Sequence, residues 1–593
     1  MEGKSVSSRL SAKHEWTSQI SVQPLDDCKV RGLIRTLKDL VHSSLGPNGR
    51  LKFFQTSYGG HVTVTSTSSK ILHSLSGLSH PILRLITSAV RGHLDAYSDG
   101  GLRTALLLLS LIQSSLDLPV PRALVAQINQ HSLEVMTNHL QSCRWKMRID
   151  IGHMKSMLSV VNSIVGTKPA CHLNESEKNY ISVLIIKAFL QSLPSKSTKD
   201  PSAPVAAPQP VQIVTCEGDP VNESKIIQGV LLQAPDIATF QGNKTLVSRV
   251  TKVALYNVSM AGDTDEWFSD SIKTETASVG HDVNIASAVL QQTLKVADWL
   301  LAVGVEMIAC QKCVHPVLKQ YLRDKGAFVV DRVSIVHISA VQRLTGAAIL
   351  STFTIDIPES SFGKVEMIEH TVLNDKSYIH LLPHSSLTSS SMCTLLLCSP
   401  DETSLNELKT VCQASISVLH ETIACPYMVP GAGCLDTHLA SFLRQYGKNS
   451  GSEVAAELGC TKGQFVAAIN NVAHCMESLA MSLEHDGGSH VTDSANQHHW
   501  SLSPGALELK PSMPHCMCGL VSCDQSLEWS MMEHVENLRG HKHSCCTDVA
   551  EEVFENTVLD ICSMKMNSYR TAFETANVIL RIHCVVCSSV ADN

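Results

Sequence analysis

Three glycine turns carry the clearest chemistry in this chain of 593 residues. Gly46-Pro47-Asn48-Gly49 sits between a helical pattern and an extended one, where backbone N–H groups can face a phosphate. The same four residues also make an ordinary polar turn that ends a helix, which needs no ligand. Ser98-Asp99-Gly100-Gly101 precedes a leucine-rich helical stretch. Two roles are open to Asp99 there: a carboxylate oxygen for a divalent cation, or an N-cap for the helix expected over 102–115. Gly431 and Gly433 flank Ala432 behind Val429-Pro430. No G-x-S-x-G, H-E-x-x-H or Walker A string occurs.

Soft metal ligands gather in a second place: His515, Cys516, Cys518 and Cys523, then His541, His543, Cys545 and Cys546. Thiolates and imidazoles suit zinc. The spacing C-x-C … H-x-H-x-C-C matches no standard finger, so the expectation is a polar insertion with free thiols and no assigned metal. Cys584-x-x-Cys587 lacks the preceding βαβ pattern of a redox motif. Glu484-His485-Asp486-Gly487-Gly488 follows a long helical pattern and reads as a helix C-terminus.

Composition narrows the function classes. Net charge is −8 from 47 basic and 55 acidic residues, with no long basic block, so electrostatic binding of nucleic acid has no support. Residues are 44% hydrophobic and 17% charged, enough for sizeable cores. The longest apolar runs, such as Ala105 to Leu109 and Trp299 to Val303, fall far short of the roughly 20 residues of a membrane span. Residues 1–20 are polar and show no secretory h-region, so the 21 cysteines are expected to be reduced in a cytoplasmic protein, and the sequons at Asn174, Asn222, Asn243 and Asn257 to be chance matches.

The elements that position these residues follow from periodicity. Val30, Leu33, Ile34, Leu37, Leu40 and Val41 mark an amphipathic helix, and further helices are predicted over 82–96, 102–115, 121–142, 151–166 and 176–193, with a strand at 61–65. Five prolines make 194–210 a linker. Strands then alternate with helices: 211–215, 252–258, 305–309 and 327–330, with helices at 285–303 and 315–324 and later strands at 347–355, 376–382 and 393–398. Helices return at 403–420, 434–446, 452–483 and 567–583. Helical ends around an α/β middle predict a nested architecture, with both ends in one helical domain.

Five segments resemble group II chaperonin subunits, in order and over nearly the whole chain. Ser44 to Lys52 is similar to the family's S-L-G-P-K-G-M-D-K loop, and Ser79-His80-Pro81 followed by Ser98-Asp99-Gly100-Gly101 to H-P-A and G-D-G-T-T. Cys310-Gln311-Lys312, Asp331-Arg332-Val333 and Thr345-Gly346-Ala347 resemble C-Q-K, R-R-V and T-G-A. Val429 to Gly433 looks like V-P-G-G-G, and Glu574 to Ile582 like the closing E-A-A-x-x-I-L-R-I helix. The resemblance implies a multidomain α and α/β group II chaperonin-like fold: an N-terminal arm (1–24), a helical equatorial domain (25–150 and 404–590), a small intermediate domain (151–210 and 363–403) and an inserted α/β apical domain (211–362). Polar His/Cys-rich insertions are expected near 485–515 and 533–548, and the 262–282 segment, where the family has a helical lid, looks shortened.

It also implies a vestigial nucleotide pocket made by Gly46, Pro47, Asn48, Gly49, Asp99, Gly100, Gly431 and Gly433. Thr67 and Gln413 stand where the family has its other two aspartates, Gly101 and Leu102 replace hydroxyls after the glycine, and Cys398-Ser399-Pro400 replaces an R-G-G turn. An amide orients water but neither takes its proton nor carries charge to a metal. The expectation is therefore a non-catalytic protein with no required cofactor, residual ATP or ADP binding aside. Within the family the pattern looks most like the divergent vertebrate branch tied to the Bardet-Biedl complex. That implies assembly of this complex for ciliary trafficking, sister chaperonin-like proteins and the cytosolic chaperonin as partners, and residence at the centrosome and ciliary basal body. The alternatives are an ATP-dependent group II foldase and a metal-binding interaction module.

Overall fold

A computed structural model of the chain describes residues 16–55, 60, 62–142, 146–193, 211–233, 250–261, 285–355, 357–374, 376–383, 392–483, 489–493, 498–502, 529–531 and 558–590. Chain contacts divide it into two units, residues 1–172 with 417–593, and residues 173–416. The first unit is thus built from both ends of the sequence, and the second is inserted into it.

The first stretch forms strand β1 (Trp16–Val22), helix α1 (Cys28–His42), the antiparallel pair β2 (Lys52–Gln55) and β3 (Val62–Thr65), helices α2 (Ser68–Ser74), α3 (Pro81–Tyr97), α4 (Gly101–Leu116) and α5 (Arg122–Ser142), strand β4 (Met147–Arg148) and helix α6 (Met154–Val165). Helix α1 starts where the Asp27 carboxylate accepts from the Lys29 N–H, and buries Val30, Ile34, Leu37 and Val41 along one stripe. Helix α3 has Pro81 in its first turn and ends at Ser98, whose φ of 59° is left-handed. Helix α4 is buried on all sides, so it runs through the core instead of lying on it.

The inserted unit opens with α7 (Glu175–Ser192), entered through a capping box between Asn174 and Glu177. Strands β5 (Gln212–Glu217), β6 (Lys225–Gln228), β7 (Val230–Gln233) and β8 (Thr251–Tyr256) follow. Then come α8 (Ile285–Val303), β9 (Val305–Cys310), α9 (Pro316–Asp324), β10 (Phe328–Val330), α10 (Ile335–Thr345) and β11 (Ile349–Leu350). Strands β12 (Gly363–Leu373), β13 (Lys376–Pro383) and β14 (Cys393–Ser399) lead to α11 (Glu402–Ala424).

The larger sheet has the order β10-β9-β8-β12-β13-β7, with β11 also beside β8. Pairing is parallel among β8, β9, β10 and β11 and antiparallel through β12, β13 and β7. Alternate residues of β8 and β9 feed two cores. Val253, Leu255, Met307 and Ala309 meet Ile338 and Val341 of α10. Ala254, Tyr256, Ile308 and Cys310 meet Leu300 of α8 and Leu318 and Leu322 of α9. Helices on both faces explain why these strands read as continuous apolar runs. A smaller sheet sets β14 between β5, parallel, and β6, antiparallel.

The final stretch adds β15 (Tyr427–Pro430), α12 (Cys434–Glu457), α13 (Lys462–Met481), the antiparallel strands β16 (Ser489–Asp493), β17 (His498–Leu502) and β18 (Trp529–Met531), then β19 (Leu559–Ile561), α14 (Cys562–Leu580) and β20 (Cys584–Val590). Helices α1, α3, α4, α12, α13 and α14 share one apolar core, which includes Leu107, Leu439, Phe465 and Phe573.

Several expectations need correction. Residues 16–22, assigned to a loose arm, form β1 and pair antiparallel with β20. Their polar composition hid a strand satisfied by a partner more than 560 residues away in sequence. The helix expected over 452–483 is two helices, because α12 runs on to Glu457 and breaks before α13. Strand β12 was missed: a register shift between Val365 and Met367 breaks its alternation. Of the strand expected over 347–355, only Ile349–Leu350 pairs. The insertion near 485–515 carries β16 and β17. The linker 194–210, the 262–282 segment, Glu484 to Gly488 and the His/Cys-rich stretch lie outside the described residues. Among the described residues, no helix is long and apolar enough to cross a membrane.

Candidate functional site

A cavity of about 370 Å³ opens in the helical unit, bordered by the turn after α1, the α3–α4 turn, the end of α6, the start of α12 and the β19–α14 junction. Of the residues expected to form a pocket, Gly46, Pro47, Asp99, Gly100 and Gly433 line it, whereas Asn48, Gly49 and Gly431 do not. The Gly46–Gly49 segment is a hydrogen-bonded turn, Gly49 N–H donating to the Gly46 carbonyl at 3.1 Å. Gly46 has φ of 85°, and a Cβ there would meet the Leu483 carbonyl at 2.9 Å, so the close approach requires glycine. Gly431 donates its N–H to the Val558 carbonyl at 2.8 Å, which ties β15 to the segment before β19.

The α3–α4 turn differs from expectation in one respect. Helix α4 begins at Gly101 with Gly100 as its N-cap, so Asp99 does not cap it. Left-handed backbone at both Ser98 and Gly100 (φ of 59° and 76°) carries the chain past the usual cap position. Asp99 therefore borders the cavity instead. Ser66 and Ser68 line the cavity, but Thr67 between them does not; it is a buried N-cap position of α2 that makes no side-chain capping bond. Gln413 lies exposed on α11, in the inserted unit.

Charged side chains that the sequence reading did not single out dominate the cavity floor. Arg103, the one basic residue of α4, is paired with Asp436 of α12 and donates to Ser568 Oγ at 2.7 Å. Its guanidinium lies 4.6 Å from the centre of the Tyr569 ring. Tyr569 donates its hydroxyl to Asp436 Oδ1 at 2.8 Å. On the other side of that carboxylate, Lys565 Nζ is 3.7 Å from Asp436 Oδ2 and 2.7 Å from Asp560 Oδ2. Arg103, Asp436, Lys565, Ser568 and Tyr569 are all buried. Burial opposes charge on Asp436, but the Arg103 and Lys565 cations and the Tyr569 hydroxyl outweigh it and hold the carboxyl below its usual range. Burial likewise opposes the Arg103 charge, and Asp436 more than offsets that. Thr104, one residue on, donates to the Gly100 carbonyl at 2.8 Å, and its hydroxyl is also hydrogen-bonded to Ser568 Oγ at 2.8 Å. His93 is buried beside the turn, where burial and then Arg103, only partly countered by Asp99, lower its pKa to about 4.

This arrangement limits what the cavity can hold. Its lining has three carboxylates, Asp99, Asp436 and Asp560, and three cations, Arg103, Lys168 and Lys565. Asp436 and Asp560 are engaged by Arg103 and Lys565, which leaves Asp99 as the carboxylate outside the network. A magnesium–triphosphate needs acidic oxygens for the metal and uncommitted positive charge for the phosphates. Asp99 and Lys168 are the lining groups left outside these ion pairs, and the turn backbone borders the same space. One signal for the network was legible: a lone arginine within Gly101-Leu102-Arg103-Thr104-Ala105-Leu106-Leu107 has to find a buried partner.

The apical-type motifs are structural. The Arg332 N–H donates to the Lys312 carbonyl and the Val333 N–H to the Cys310 carbonyl, at 3.1 and 3.0 Å, so Cys310-Gln311-Lys312 and Asp331-Arg332-Val333 lie side by side. Gly346 is the left-handed cap of α10.

Fold, nesting and turn positions define a chaperonin, and the chain belongs to the TCP-1/cpn60 chaperonin family, whose model matches residues 37–589. It is 32% identical to the molecular chaperone MKKS of Mus musculus over 585 residues, 98% of this chain and 99% of that one. The Homo sapiens protein of the same name is 31% identical over 584 residues, 98% and 99% of the two chains. Thermosome subunit alpha of Saccharolobus solfataricus is 22% identical over 486 residues, 78% of each chain.

Proposed function

We propose that the chain is a chaperonin-like assembly factor that binds partner proteins without turning over ATP. The observation that carries this reading is the buried network at the cavity floor, in which Arg103 and Lys565 occupy Asp436 and Asp560. Two of the three lining carboxylates are thereby committed to internal ion pairs, whereas a nucleotide engine needs free acids to hold its metal. Thr67 and Gln413 stand where the resemblance expects two of three aspartates, which leaves Asp99 as the carboxylate to hold a metal and no acid at the other two positions to activate water. No cofactor is required in this reading, and nucleotide binds, if at all, as passive filling against Gly46, Pro47, Gly100 and Gly433.

Partner binding is supported by surfaces of each unit. In the inserted unit, Ile335 and Val336 at the start of α10 are each 67% exposed, an apolar step that suits a client segment. In the helical unit, β1–β20 and β2–β3 are two-stranded sheets, and among the described residues no further strand covers their edges. Such edges are templates for a strand of another subunit, which fits docking to other chaperonin-like subunits. The finer reading rests on the resemblance of the sequence motifs alone: Bardet-Biedl complex subunits as clients, sister chaperonin-like proteins and the cytosolic chaperonin as partners, and work at the centrosome and basal body.

Phosphate release and nucleotide binding measured on one purified, monodisperse full-length sample test the central claim. We expect no turnover above background. Turnover that Asp99→Ala abolishes would overturn the reading, because the cavity would then be a working enzyme with a different water-activating group.

A further inference from the structure

We infer that Cys216, Cys398 and Asp219 form a three-ligand site for a thiophilic divalent cation of the zinc class, in the small sheet of the inserted unit. Their ligand atoms all lie within 4.8 Å of one another. Cys216 and Cys398 are directly opposed on the parallel strands β5 and β14. Asp219 follows in the turn after β5, and its Oδ2 is 3.7 Å from Cys216 Sγ. Tetrahedral zinc, with Zn–S of about 2.3 Å and Zn–O of about 2.0 Å, sets two sulfurs about 3.8 Å apart and a sulfur and oxygen about 3.5 Å apart. Small side-chain rotations therefore bring the three ligands onto one ion, and water completes the tetrahedron.

The backbone holds this geometry. Gly218 donates its N–H to the Ser399 carbonyl at 2.9 Å, which locks the turn to the end of β14, and Asn374 Nδ2 donates to the Glu217 carbonyl. On the inner side the thiols join an apolar cluster with Val214, Leu231, Tyr378 and Leu396. On the outer side Asp219 is half-buried and Gly218 exposed, which gives an ion a route in. A disulfide is the competing use of two facing cysteines; both are free thiols in the structure, and the spacing of paired strands suits either use.

The placement gives the ion a structural role. β5 is the first strand after α7, and β14 the last before α11. The ion would staple the strand entering the α/β sheets to the strand leaving them.

The test uses the reduced, metal-stripped full-length chain, titrated with Co²⁺ and read by thiolate charge-transfer and tetrahedral d–d absorption. We expect Cys216→Ser/Cys398→Ser to lose one equivalent of this signal relative to wild type. Asp219→Asn, which keeps both thiols, should weaken that equivalent at least tenfold while the far-UV circular dichroism stays unchanged. Should the double variant fail to fold, Asp219→Asn decides alone. Identical stoichiometry and affinity in wild type and Asp219→Asn would overturn the proposal, the metal then being bound at other cysteines. So would a Cys216–Cys398 disulfide found by peptide mapping after thiols are blocked at lysis.

Discussion

Arg103 illustrates what a single side chain decides. Its charge is buried in a leucine-rich helix and tolerable only because Asp436, 333 residues later, is paired with it. Arg103→Ala leaves Asp436 with Lys565 at 3.7 Å and the Tyr569 hydroxyl as its remaining partners. A loss of about 3–5 kcal/mol is expected, the usual result of breaking a buried pair from one side, read from urea unfolding midpoints. Because Asp436 is held below its usual pKa, the pair's contribution is complete at neutral pH; it fades only as pH falls past the unfolded value of about 3.9 and through the lower folded one. His93 acts at milder acidity. Burial, then Arg103, depress its pKa to about 4, only partly offset by Asp99. The unfolded chain takes up that proton near pH 6.5 and the folded one near 4, so stability should fall across this window by up to about 3 kcal/mol. His93→Gln should flatten that part of the pH–stability curve, and an unchanged slope would assign it to other histidines.

At the scale of elements, the break between α12 and α13 shows how local rules punctuate a continuous apolar pattern. The N–H of Gly459 donates to the Ala456 carbonyl and that of Cys460 to the Ala455 carbonyl, at 3.2 and 2.9 Å, which closes α12 in a Schellman motif. Thr461 and Gln464 then open α13 with a capping box. Gly459 has φ of 68° and open space where a Cβ would stand, so Gly459→Ala carries only the left-handed backbone penalty. We expect about 1 kcal/mol of destabilisation with no change in fold, measured by thermal or urea unfolding. These signals were present in Leu458-Gly459-Cys460-Thr461, yet apolar spacing on both sides masked them. β1 and β20 lacked any comparable mark, because each is defined by the other.

For the whole molecule, the two units carry different surfaces. The helical unit holds the cavity and two two-stranded sheets whose edges no further strand covers among the described residues. The inserted unit carries the exposed Ile335 and Val336 on α10. If clients bind that apolar step, Ile335→Asp/Val336→Asp should reduce client co-purification at least tenfold. Both side chains lie outside the cores, so the melting temperature should change little. Unchanged co-purification would move client binding elsewhere.

The sequence by itself determined the long helices and the glycine turns, and its family motifs pointed to the nested chaperonin architecture. Helices and turns depend on periodicity and backbone limits within a few residues of chain, as at Val30 to Val41 or Gly46. Only the tertiary structure decided which residues meet. Five of the eight expected pocket residues line one cavity; Asn48, Gly49 and Gly431 turn out to shape its surroundings. Asp99 proved to border the cavity instead of capping a helix. The Arg103–Asp436–Lys565 network and the Cys216–Cys398 pair join positions hundreds or scores of residues apart. Such pairs carry no local spacing rule, since the free energy of burying a charge or a thiol depends on what packing brings beside it.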